Sequence, residues 1–402
     1  MVARTSSLVG GLVAIAVPVL AARAQSFQTL YSFTGGADAA YPAGNLLYHD
    51  GALFGATLGG GGVGQGAVFK LALGTGREKV LHGFAGGADG SDPVGGLISF
   101  GGAIYGATSG GGLFNCLGSG CGLVFRIDPA SGAESAVYAF AGGVDGGWPE
   151  AGLTAFHGAL YGTTYLFGAT QGGYGTAFKL DPASGTETVL HQFGAGDGHD
   201  PMAALTGRGK YLYGTTYAGG NTGCAQEGCG TVFRIDAATG AEDLLHRFGK
   251  GNDGENPVAG LVAVGDSFYG TTSYGGRSAY YGTVFGLDVA TGKEKTLHSF
   301  GSGKGGGNPV AGLTLANGLL YGVTNDGGLF TKNCLLGDQR IGCGTIFSVD
   351  PATGAMSVLY RFTGATDGGE PTGGLIYHDG ALYGTTSVGG ASFRGTVFKF
   401  MP

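Results

Sequence analysis

Seven copies of one unit of roughly fifty residues follow one another along this 402-residue chain, and that periodicity limits the possible folds more than anything else in it. A turn-forming Pro recurs at Pro42, Pro93, Pro149, Pro201, Pro257, Pro309 and Pro371. A short apolar segment follows each Pro, and then Tyr-Gly-x-Thr, as in Tyr161-Gly162-Thr163-Thr164, with Phe54 replacing the Tyr in the first copy. After a Gly-rich loop comes Gly-Thr-Val-Phe or a close variant, opening at Gly66, Gly122, Gly175, Gly230, Gly282, Gly344 and Gly395. A turn such as Asp181-Pro182-Ala183-Ser184-Gly185 leads to a last segment of the form Leu-His-x-Phe, as in Leu190-His191-Gln192-Phe193.

Each unit therefore reads as four short strands joined by turn chemistry, without helical periodicity. Four strands per repeat of this length is the pattern of a β-propeller blade, whereas the coils of a parallel β-helix are much shorter. The 90 Gly fit this reading and no other. Collagen would need Gly at every third position and far more than 12 Pro, and a disordered chain would not carry 24 Phe and 19 Tyr. The expected fold is an all-β, seven-bladed propeller. The Gly of Tyr-Gly-x-Thr is expected to let neighbouring blades approach closely.

The last unit stops at its third strand, Gly395-Thr396-Val397-Phe398-Lys399-Phe400, while Phe27-Gln28-Thr29-Leu30-Tyr31-Ser32-Phe33 reads as a fourth strand with no three before it. A ring closes if this N-terminal strand completes the last blade, which leaves no unpaired edge. Leu30 and Phe33 are then expected against Val397 and Phe398.

Arg4, the apolar residues 8–20 and Ala22-Arg23-Ala24 have the order of a secretory signal peptide with its cleavage site. This divides the chain into a signal peptide, residues 1–24, and the propeller, residues 25–402, secreted to the periplasm or beyond and with no membrane span after cleavage. Six Cys suit an oxidising compartment and fall as three local pairs, Cys116/Cys121, Cys224/Cys229 and Cys334/Cys343, each in one of the three longest Gly-rich loops. Disulfides are expected within each pair, ordering their loops rather than holding the fold. A net charge of −7 without a Lys/Arg-rich run argues against a nucleic-acid partner. A monomer is expected.

Tyr-Gly-Thr-Thr, Gly-Thr-Val-Phe and the Phe-x-Gly-x-x-Asp-Gly-x-x-Pro linker resemble the GloVer-type (Gloeo/Verruco) tandem repeat of bacterial secreted proteins. The resemblance spans essentially the whole chain after residue 24. It implies an exported, propeller-like repeat protein and supplies no catalytic residues.

His82, His191, His246 and His298 share one place on the outermost strand, where other units have Tyr31, Tyr138 and Tyr360. With strands ~4.8 Å apart they stand roughly 15 Å outside the first strand and cannot converge, so a packed ring with a hydrogen-bonded tip is expected. His199, beside Asp200 in a linker, stays open. Asp38, Asp89, Asp145, Asp197, Asp253 and Asp367 lie in the linkers, mostly before Gly, as turn residues do. No cofactor or metal is implied: Gly59 to Gly64 satisfies G-x-G-x-x-G without a following helix, and the Cys pairs lack further zinc ligands nearby. Asp89-Gly90-Ser91-Asp92 and Asn252-Asp253-Gly254-Glu255-Asn256 offer several oxygens without matching the EF-hand loop, so calcium stays open there. The residues before each linker Pro do differ between units: Tyr41, Asp92, Trp148, Asp200, Asn256, Asn308 and Glu370. They are expected to ring one mouth of the central channel, where aromatic faces, carboxylates and amides suit sugar rings or a cation. The expected function is a non-catalytic propeller binding a glycan or an extracellular protein on its loop-rich face. The alternatives are a glycan-processing enzyme (a hydrolase or lyase) using Asp92 with Asp200 or Glu370, and a scaffold without a small ligand.

Overall fold

The computed structural model describes residues 25–402 except 114, 169–172, 221–223, 225–227, 279 and 337–338. The expected signal peptide lies outside the described residues. Seven four-stranded antiparallel sheets form the ring. The third blade shows the plan: Thr154–Phe156, Ala159–Thr164, Thr176–Asp181 and Thr186–Gln192, hydrogen-bonded in sequence order. A two-stranded ribbon, Leu335–Leu336 with Gln339–Arg340, decorates the sixth blade.

The seventh blade consists of Ile376–His378, Ala381–Thr386, Thr396–Met401 and, outermost, the N-terminal strand Ser26–Ser32. Tyr31 pairs with Val397, and the register shifts between Thr29 and Tyr31. In the first blade His82 pairs with Val68 across the same kind of bulge. The closing strand thus adopts the register of its covalently connected counterparts. Its side chains divide differently from the sequence expectation. Leu30 and Phe33 share a buried cluster with Val397, but Phe398 is contacted by Phe27 and Phe362. Phe33 lies edge-on to Phe69 of the first blade, because the residue after the outer strand turns into the next seam.

That Phe–Phe contact recurs at every seam, with centroids 5.0–5.3 Å apart, from Phe33–Phe69 to Phe362–Phe398. Phe33, Phe84, Phe140, Phe193, Phe248 and Phe362 are fully buried and Phe300 nearly so. Burying a Phe contributes about 1.5–3 kcal/mol, and the tilted geometry suits the ring quadrupoles. The Gly of Tyr-Gly-x-Thr serves this packing from within the blade, not by letting blades approach. A Cβ on Gly162 would stand 2.6 Å from the Phe178 ring, its cross-strand partner, and 3.0 Å from Leu153. Beside it, the Thr residues that end the second strand and begin the third share a buried hydrogen bond of 2.8–2.9 Å in the last five blades, as in Thr164–Thr176. Among the described residues no helix is long and apolar enough to cross a membrane.

Candidate functional site

The linkers and the loops between second and third strands occupy one face, since they pair with each other: Gly147 with Leu166, His199 with Ala218, Gly307 with Asp326. The hairpins between third and fourth strands lie opposite. There Asp128, Asp181, Asp288 and Asp350 each accept backbone N–H bonds from their own turn, and these bonds, preceded at Asp288 by the Thr291 hydroxyl, hold their carboxyls below the usual range.

On the linker face, all seven residues that precede Pro have left-handed backbone, with φ between 51° and 59°. Two bonds impose it. Each N–H donates to the carbonyl just before the Gly-Thr-Val-Phe segment of the preceding blade, at 2.8–3.2 Å, as Trp148 does to Cys121. In the last five blades each carbonyl also accepts from the residue after Tyr-Gly-x-Thr of its own blade, as Trp148 does from Tyr165 at 2.9 Å. Asn and Asp enter this region at little cost, but for Tyr, Trp and Glu it is unusual and costs on the order of 1 kcal/mol. All seven side chains are half-buried.

Their surroundings differ from blade to blade. The Arg394 guanidinium stands 5.0 Å from the Tyr41 ring. Trp148 donates its indole N–H to the Gly120 carbonyl at 2.9 Å and meets Phe167 edge-on. Asp200 holds His199 Nδ1 at 3.0 Å, and Tyr174 covers that imidazole. Asn256 donates to the Tyr217 carbonyl. Asn308 Nδ2 reaches Asp326 at 3.5 Å, while its Oδ1 is buried without a partner among the described residues. Burial, and then the nearby Asp326, push the Glu370 carboxyl up. Asp92 Oδ2 lies near Gly110 of its own blade, and the Asp92 carbonyl accepts the Ser109 hydroxyl. These contacts lie within single seams or adjoining ones.

The axis itself belongs to the residues after Pro. A cavity of about 320 Å³ is walled by Gly44, Gly95, Ala151, Ala203, Ala259 and Ala311 among others. Small residues are needed there because seven strands converge: a Cβ on Gly95 would stand 2.4 Å from Gly152 N. Among the described residues Glu150 is the one charged side chain in that wall, and burial pushes its carboxyl up. It escaped the sequence reading, although comparing the residue after each Pro (Ala43, Val94, Met202, Val258, Val310 and Thr372 elsewhere) would have singled it out.

Six of the seven outer His and Tyr have the expected bonded tips; His298, whose linker has Gly305 in place of Asp, has no such bond among the described residues. His82, His191 and His246 contact Asp89, Asp197 and Asp253 at 2.9–3.2 Å, and Tyr31, Tyr138 and Tyr360 donate to Asp38, Asp145 and Asp367 at 3.0–3.2 Å. Each Asp also caps its linker, as Asp145 does by accepting from Ala141 N. A column that the sequence reading missed faces these Asp from the next blade: Glu78, Glu134, Glu187, Glu242 and Glu294. Burial is the main cause that pushes all five carboxyls up to about 7, and the linker Asp adds to it.

The three disulfides are Cys116–Cys121, Cys224–Cys229 and Cys334–Cys343. Their place goes beyond loop order, since both sulfurs of Cys116–Cys121 and of Cys334–Cys343 belong to buried clusters. Gly142 and Gly364 of the following linkers lie directly on them: a Cβ on either would stand 2.3 or 2.5 Å from sulfur. Three disulfides point to an oxidising compartment outside the cytoplasm.

No curated protein matches the chain in sequence. Among solved structures it is similar to the extracellular domain of a putative one-component system from B. thetaiotaomicron, with TM-score 0.55 and 10% identity over 93% of this chain and 40% of that one. It is also similar to an oligogalacturonate lyase in complex with manganese, with TM-score 0.53 and 12% identity over 94% and 96% of the two chains. A putative 6-phosphogluconolactonase from Bacteroides uniformis gives TM-score 0.50 and 15% identity over 83% and 89%. At such identities the likeness concerns the fold alone. The repeat is more specific, because the Gloeobacter/Verrucomicrobia repeat profile matches residues 17–173 and 117–336. The chain belongs to the Gloeobacter/Verrucomicrobia repeat family.

Proposed function

We propose that this propeller is a secreted, non-catalytic binding module that takes a glycan on its linker face. One observation carries the reading: seven positions share one left-handed backbone conformation, costly for Tyr41, Trp148 and Glu370, yet they present Tyr41, Asp92, Trp148, Asp200, Asn256, Asn308 and Glu370. A residue kept in a sparsely populated conformation that a better-suited residue could occupy is a pointer to function. Aromatic rings, carboxylates and amides distributed around one face match the apolar faces and hydroxyls of a sugar, and the variety supplies specificity within a fixed frame. Trp148 is the only Trp, so its emission reports directly on the face. A glycan array followed by fluorescence titration of the protein tests the reading. Saturable quenching by an oligosaccharide, lost in Trp148→Ala, supports it; no response on the array and unchanged emission reject it.

A second reading rests on Glu370, whose carboxyl is pushed up by burial first and by the nearby Asp326 second, as suits a general acid. Cleavage of an oligosaccharide by the protein, abolished in Glu370→Gln, would replace binding with glycan processing.

A further inference from the structure

We propose that the seam between the first and second blades binds a divalent transition metal through His82, Asp89 and Glu134. These residues come from three segments: the outer strand Arg77–Gly83, the linker after it, and the start of the outer strand Glu134–Ala139 of the next blade. One ligand atom from each, the imidazole nitrogen and two carboxylate oxygens, lies within 4.8 Å of the others. One imidazole and two carboxylates form a donor set for zinc or a similar ion, at about 2.0–2.2 Å from each atom, with open positions for water. Calcium and magnesium prefer all-oxygen sites.

The second observation is a lone oxygen. Glu134 Oε1 is buried without a hydrogen-bond partner among the described residues, while it faces another carboxylate. Two carboxyls brought this close are stabilised by a proton or by a cation. Asp89 Oδ1 contacts His82 Nε2 at 2.9 Å, and Oδ2 is fixed by Ala85 N at 2.6 Å, so the carboxylate is already oriented. Both His82 and Asp89 keep about a quarter of their side-chain surface in solvent, which gives an ion access.

The other seams provide the comparison. His191 with Asp197 and Glu242, and His246 with Asp253 and Glu294, repeat the three residue types at two further seams. Of the three sets, among the described residues, only His82, Asp89 and Glu134 bring one donor atom each within 4.8 Å of the others. Tyr31, Asp38 and Glu78 hold the same places between the seventh and first blades, and Glu78 Oε1 is likewise buried and unpartnered. A Tyr in place of His removes the nitrogen ligand, so that seam can take only the proton. Where the linker has Gly305 in place of Asp, the column has Met356 in place of Glu. At the seam between the sixth and seventh blades Asp367 is present, but Phe27 takes the Glu place and stacks on Tyr360.

The test is calorimetric titration of the untagged, metal-free protein with Zn2+, run beside Ca2+, Mg2+ and thermal melts. One zinc site is expected, with a raised melting temperature and little response to Ca2+ or Mg2+. His82→Tyr installs the residue found at three other seams and is expected to fold. In that variant, and in Glu134→Gln, zinc affinity should fall at least tenfold. No heat from zinc, binding undiminished in His82→Tyr, or equal responses to Ca2+ and Zn2+ would each overturn the proposal.

Discussion

Gly395 lies directly against Pro42: a Cβ on Gly395 would stand 2.6 Å from Pro42 Cδ and 2.3 Å from the Thr386 carbonyl. Gly395 belongs to the last blade and Pro42 to the first, so this contact is the point at which the ring closes. The same contact joins every pair of neighbours, at 2.4–2.9 Å, from Gly66 with Pro93 to Gly344 with Pro371. Each Gly also has positive φ, 90° at Gly395, so it is required both for its backbone and for its missing side chain. Gly395→Ala is expected to cost roughly 2–4 kcal/mol, measured as a lower urea midpoint, since both backbone strain and a clash with a rigid ring are imposed. A midpoint equal to wild type would remove the Gly–Pro contact from the account of closure.

The closing strand supplies a separate expectation. Phe33 is fully buried and joins the seventh blade to the first, so Phe33→Ala should destabilise by about 3–5 kcal/mol. Deleting residues 25–33 removes in addition Phe27, stacked on Tyr360 at 4.2 Å, and leaves strand Thr396–Met401 with a bare edge. Such edges recruit other chains, so the truncated protein is expected to aggregate, read by size-exclusion chromatography. A monomer with wild-type melting behaviour would show that the seventh blade does not depend on its N-terminal strand.

Stability should fall as pH rises from 5 to 8. Glu78, Glu134, Glu187, Glu242 and Glu294 are raised from 4.5 to about 7 in the folded ring. Between these values the folded protein keeps protons that the unfolded chain has released, so their contribution is fully present below pH 4.5 and lost through pH 7. Two effects oppose this at the acid end. Burial, then Arg277, lower His298 below its ordinary value, and the hairpin Asp carboxyls lie below theirs. The optimum is therefore expected near pH 5, with a melting temperature several degrees above that at pH 8 in metal-free buffer. The combined Glu→Gln variant should flatten the slope; an unchanged slope would assign the pH dependence elsewhere.

The fold was legible because each repeated residue has one physical task that recurs in all or nearly all blades. Pro after a left-handed residue, Gly beneath a Phe ring and Asp beneath a His or Tyr tip survive comparison of one unit with the next. What escaped was whatever depends on the neighbouring blade. Glu134 reads along the chain as a charged residue on an exposed strand, and nothing local reveals that it faces Asp89. The Gly of Tyr-Gly-x-Thr misled for the opposite reason: its partner, Phe178 for Gly162, lies in the same blade. The residues before Pro were singled out by their variety, while their shared conformation follows from two backbone bonds that no side chain announces. Glu150 was hidden because the turn at Pro149 places the residue after Pro, not before it, in the axial wall.

Glu370→Asn separates function from stability on the linker face. Asn occupies the equivalent place in two other blades, at Asn256 and Asn308, with φ 56° and 53°. Asn enters left-handed backbone more readily than Glu, so relief of strain should raise stability by about 0.5–1 kcal/mol. Removing a half-buried carboxyl that is pushed up beside Asp326 acts in the same direction at neutral pH. If the face binds a glycan, the same substitution deletes an acceptor, and affinity in the fluorescence titration should fall several-fold while the melting temperature rises. A gain in one property with a loss in the other marks a residue retained for binding rather than for the fold. A loss of stability in Glu370→Asn would mean that Glu370 holds the seam together, and the linker face would then owe its variety to packing.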